Sequence, residues 1–123
     1  MNHDAITEYV VRLLDRSDEY AFHSLIEEGD SVIDVVCRFL SICNNEQFKR
    51  LVEVLQEIRT DKSSKVLIEL CELPYSERWV IAAEGMFYNN SDLAQSVFEK
   101  MLLAGNLERA KSLLIETLLR IGR

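Results

Sequence analysis

"SVIDVVCRFLSIC", residues 31–43, is the stretch that decides the fold class. Ile33, Val36, Cys37 and Leu40 recur at spacings of three and four, the period of a helix and not of a strand. Val32, Val35, Phe39 and Ile42 fill most of the remaining circumference, so this helix has little polar side to offer water. A helix that is apolar nearly all round is covered from two sides. Such a helix belongs inside a stack of helices.

The rest of the chain carries narrower stripes at the same spacing. Ile6, Tyr9, Val10, Leu13 and Leu14 form one before it, and Tyr20, Phe22, Leu25 and Ile26 another that stops at Gly29. After it come Phe48, Leu51, Val52, Leu55 and Ile58, then Val66, Leu67, Leu70 and Cys71 ahead of Pro74. Residues 77–90 make a sixth segment. Leu93, Ala94, Val97, Phe98, Met101 and Leu102 run to Gly105, and Leu107, Ala110, Leu113, Leu114, Leu118 and Ile121 close the chain.

Punctuation agrees with periodicity. Ser17 or Asp18, Asp30 or Ser31, Asn44 or Asn45, Asp61, Ser76, Ser91 or Asp92, and Asn106 stand where a side-chain oxygen caps a helix start. Gly29 and Gly105 stand where a left-handed residue ends one, and Pro74 cannot continue the fifth helix. Short connections make consecutive helices antiparallel. Helix starts near Ser31, Asp61 and Ser91 are thirty residues apart, and those near Ser17, Asn45, Ser76 and Asn106 keep a similar step. The chain thus reads as one all-α domain over residues 1–123. Its architecture is about eight short helices stacked as HEAT/TPR-like hairpins of about 30 residues, each too thin to bury its apolar face alone. An irregular helical bundle is the alternative. The acidic first hairpin reads as a capping unit.

No apolar run approaches the roughly 18–20 residues that span a bilayer, and the acidic N-terminus is unlike a secretory signal. Cys37, Cys43 and Cys71 are odd in number, lack CxxC spacing and sit among apolar neighbours, so they read as reduced thiols in a cytoplasmic protein. Net charge is −7, and the excess is concentrated in residues 15–34, where Asp15, Asp18, Glu19, Glu27, Glu28, Asp30 and Asp34 meet only Arg16. That field repels nucleic acid and anionic membrane and attracts basic proteins. The same acidity also serves a plain solvated face.

No catalytic motif is present. There is no phosphate loop and no GxSxG elbow. His3 and His23 are the only histidines, and with no HExxH or CxxC nothing organises a metal. Neither cofactor nor metal is expected, and the chain reads as no enzyme.

"ERWVIAAEGMFYNN", residues 77–90, is the remaining oddity. At 100° per residue, Trp79, Val80, Ala83, Met86 and Phe87 form a core stripe. Glu77, Ile81, Glu84, Gly85 and Tyr88 share the other side, which reads as facing solvent. A mid-helix glycine costs about 1 kcal/mol against alanine, so a neighbouring helix or a partner approaches the backbone there. Glu77 and Glu84 lie about 10 Å apart along the axis, too far to share a proton. They read better as contacts for a basic protein, with Tyr88 as anchor. In stacked hairpins the second helices line one surface. That places Tyr20, Glu27, Glu53, Glu57, Glu77, Glu84 and Tyr88 along one partner-binding groove, with Tyr75 as a further anchor.

Trp79, "YNNSDLAQSVFEKML" (residues 88–102) and "LERAKSLLIETLLRI" (residues 107–121) also carry a likeness. Over roughly residues 60–123 the chain resembles the HEAT-like, all-helical immunity proteins of bacterial toxin systems of the contact-dependent inhibition type. In these a Trp-bearing helix, an Asn-containing turn and a Leu-rich last helix follow in that order. The resemblance implies a protein that binds a toxin, here a basic domain such as a nuclease, and blocks it. It carries over no contact residue. An adaptor or scaffold subunit docking a protein or peptide is the rival reading, and a small hydrolase using groove carboxylates a more distant one.

Overall fold

The computed structural model describes residues 1–72, 74, 76–89, 92, 93, 95, 96 and 99. Among them all regular structure is helical: α1 His3–Arg16, α2 Glu19–Glu28, a 3-10 turn over Gly29–Val32, α3 Ile33–Leu40, α4 Asn45–Ile58, α5 Asp61–Leu70 and α6 Glu77–Asn89. None of these helices is long and apolar enough to cross a membrane. The seventh and eighth stripes, the caps at Ser91 and Asn106, the end at Gly105, and Tyr75 fall mostly or wholly outside the described residues.

The caps explain where the helices begin. Asn2 accepts from the Ala5 amide and Asp18 from that of Ala21. Asn44 caps α4 in a reciprocal box with Gln47. Ser76 accepts from the Trp79 amide. At α5 the cap is Thr60, boxed with Ser63, one residue before the expected Asp61. Two ends need a left-handed residue without a glycine, at Ser17 (φ 51°) and Arg59 (φ 58°).

Asp18 is held twice. Besides capping α2 it accepts Arg12 Nε and Nη2 at 3.1 and 3.0 Å. The Ala21 amide is the largest cause holding its carboxyl below the usual aspartate range; burial opposes it, and Arg12 adds to the lowering. A lowered folded-state pKa adds stability above the ordinary Asp value of about 3.9 and loses it as pH falls through the folded value. In acid titrations followed by circular dichroism, Asp18→Asn should flatten the fall in stability below about pH 4. An unchanged acid limb would show that this carboxylate is not the coupled group.

α3 departs from expectation. The 13-residue stretch is not one helix: Gly29 (φ 72°, ψ −136°) ends α2, a 3-10 turn carries the chain round, and α3 itself has only 8 residues. Neither Asp30 nor Ser31 caps it. Asp30 instead accepts the Thr60 hydroxyl, tying this turn to the α4–α5 turn. Ile42, read as part of the apolar wrap, is 76% exposed on the turn after α3.

α4 sits at the centre. It packs against α2, α3, α5 and α6 and buries Phe48, Leu51, Val52, Val54 and Leu55. α1 packs on α2 and α3, and α5 on α6. Two polar devices fix α6 in this arrangement. Asn89 is buried; it accepts the Ser64 hydroxyl at 2.7 Å and donates to the Gln56 carbonyl at 3.2 Å, among the carbonyls the end of α4 leaves open. Trp79, 3% exposed, donates Nε1 to the Cys71 carbonyl at 2.8 Å and so bridges the loop around Pro74.

Candidate functional site

A close approach of α6 to α4 builds the candidate site. Gly85 is buried, not solvent-facing as its sequence position suggests. A Cβ there would overlap Val52 Cγ1 and touch Leu67 Cδ2 at 3.4 Å. The helical glycine is therefore the groove in α6 that admits α4, and the expected close approach is an internal one. Glu84, Ile81 and Tyr88 flank this seam. With Lys49, Glu53 and Gln56 from α4 they line a cleft of about 280 Å³ whose floor is Val52 and Gly85.

Of the seven residues read as one groove, three meet here: Glu53, Glu84 and Tyr88. Tyr88 is 40% exposed, its ring edge-on to Phe87. Glu53 is half-buried and pairs with Arg50 Nη1 at 3.3 Å, while Arg50 Nη2 reaches Glu19 at 2.9 Å. The Arg50 guanidinium lies over the Phe22 ring, 4.5 Å from its centroid, which locks α2 to α4.

The other four stand apart. Glu57 lies beyond the cleft, with Arg59 at 3.5 Å and the Gln56 amide at 3.1 Å. Glu77 opens α6 and accepts Asn45 Nδ2 at 2.8 Å. Tyr20 is 67% exposed on α2, its ring 6.1 Å from that of Tyr9. Glu27 is exposed further along α2, with no ion pair among the described residues. Of these carboxylates Glu77 ties α6 to the start of α4, whereas Glu53 and Glu57 find their partners within α4 and just past its end. Lys49 and Gln56 belong to no sequence motif. Their spacing from Glu53, four and three residues, is the signal that puts them on its side of α4.

Nothing in this cleft resembles a nucleophile with its base. No group of His, Cys, Asp and Glu among the described residues could hold a metal ion. The three cysteines are free thiols. Burial raises all three, and Cys71, with Glu72 adding to the effect, is pushed up to about 12, which keeps it protonated and a poor nucleophile at neutral pH. No family model, curated protein or solved structure matches this chain. The cleft presents an apolar floor, carboxylates and a lysine at the edge, and an exposed aromatic ring.

Proposed function

We propose that this chain is a non-catalytic binding protein of stacked helical hairpins, an immunity protein that acts in the cytoplasm and neutralises a basic toxin domain. The α4/α6 cleft is its contact region. The observation that carries this reading is the juxtaposition of Tyr88 with Glu53 and Glu84 over the Val52–Gly85 seam. An exposed tyrosine on a rigid helix supplies anchor area at little entropic cost, and the carboxylates beside it select a Lys or Arg. A net charge of −7 speeds encounter with a cationic partner. The likeness of residues 60–123 to immunity proteins supplies the biological role.

The experiment is affinity capture on the immobilised chain from cells of its source, followed by titration of whichever protein is retained. A basic partner should bind more weakly by about tenfold to Glu84→Lys and to Tyr88→Ala, and its affinity should fall steeply with added salt. Retention of an acidic protein, or binding indifferent to salt and to both substitutions, would overturn the reading.

A further inference from the structure

A second cleft opens elsewhere on the chain. It measures about 400 Å³ and runs between α3 and α5, with Phe48 of α4 as its floor and Cys37, Leu40, Val66 and Leu70 as its walls. It exists because α3 is so short. α3 stops at Leu40, packs on α1 and α4, and makes no extended contact with α5. Its far side, which the sequence reads as covered, is left with Cys37 only half-buried. This cleft is distinct from the α4/α6 one: Phe48 and Glu53 are about 140° apart around the α4 axis at 3.6 residues per turn.

The charges at its rim decide what fits. Arg78 lines the cleft but is committed inward: it donates to Asn45 Oδ1 at 2.9 Å and to the Leu40 and Cys43 carbonyls, and it lies over the Phe48 ring. Lys62 is engaged by Asp34 at 3.4 Å across the α3/α5 gap. Glu69, exposed on the α5 wall, has no ion pair among the described residues. Of the two charged side chains on the lining, Arg78 spends its donors on neutral acceptors inside the fold, and the Glu69 carboxylate is the one open to an incoming group.

We propose that the α3/α5 cleft docks an amphipathic helix of a partner protein, with an aliphatic or aromatic side chain seated over Phe48 and a Lys or Arg one turn away paired with Glu69. Two helices flanking an apolar floor form the groove into which a third helix packs, and the carboxylate sets its register and polarity.

The test uses fluorescently labelled helical peptides of about 15 residues, one patterned with Leu and Lys, the other with Leu and Glu. The full chain should bind the Leu/Lys peptide and not the Leu/Glu peptide. Ser41→Trp, which fills the exposed mouth without touching the core, and Glu69→Lys should each weaken binding about tenfold. Glu84→Lys, on the other cleft, should leave it unchanged, so this proposal and the α4/α6 reading fail separately. Four results would overturn it. They are no binding, equal binding of both peptides, a loss caused by Glu84→Lys as large as that caused by Glu69→Lys, and indifference to Ser41→Trp. The third and fourth mark diffuse attraction to an acidic protein in place of a seated side chain.

Discussion

Arg78→Met should lower stability by about 3 kcal/mol, the largest effect foreseen for any surface-reaching residue of this chain. The methionine keeps an apolar stem on Phe48 but removes the donors to Asn45 and to the Leu40 and Cys43 carbonyls. Leu40 is the last residue of α3, where the helix leaves carbonyls unpaired and negative potential gathers. The guanidinium is therefore a further cap, supplied by α6, at a helix end where Ser41 Oγ already donates to the Arg38 carbonyl and Cys43 Sγ to that of Leu40. Each hydrogen bond from a charged donor contributes about 1.5–3 kcal/mol. Water reaches part of the site, so the losses do not simply add. Urea unfolding should show a lower midpoint at unchanged slope. Arg78→Lys should recover less than half of the loss, because a point charge cannot span three acceptors. A cost below about 1 kcal/mol for Arg78→Met would sink this account of α3.

The second large effect is at Gly85. A glycine-to-alanine change in an exposed helix stabilises by about 1 kcal/mol. Here the sign should reverse. The added methyl meets Val52 Cγ1, which belongs to a buried β-branched side chain with one preferred rotamer in a helix. Overpacking costs about 1–3 kcal/mol, and an outright overlap with a buried, stiff side chain sits in the upper part of that range, about 2–3; less the helical gain of about 1, Gly85→Ala should destabilise by a net 1–2 kcal/mol, roughly. Adding Val52→Ala moves the space across the seam and should recover most of it, giving a coupling of about 1 kcal/mol or more in a double-mutant cycle. A stabilised Gly85→Ala protein would mean that α4 and α6 do not meet there.

Much of the core was legible from spacing. Ile6, Val10 and Leu13, then Phe48, Leu51, Val52 and Leu55, then Trp79, Ala83 and Met86 are buried as the helical period requires. The failures have causes. Ser63, Ser64 and Asn89 are buried despite their polarity: Ser63 is satisfied in the cap with Thr60, and the Ser64 hydroxyl and Asn89 amide, from different helices, satisfy one another and nearby carbonyls, a match that periodicity cannot register. Spacing predicts too long an α3 because an apolar run marks burial and not backbone conformation. The helical wheel puts Gly85 on the wet side because a single wheel holds no information about a second helix.

Helical class, the starts of most helices and the apolar stripes follow from the sequence by itself, since they depend on contacts three or four residues apart and on caps at helix ends. Which carboxylates act as struts and which stay open, where α6 admits α4, and why a cleft remains beside α3 were decided only in the tertiary structure. Each depends on pairs such as Arg78 with Leu40, Arg50 with Glu19, and Gly85 with Val52. These lie some thirty residues or more apart in the chain, and only packed helices bring them within reach.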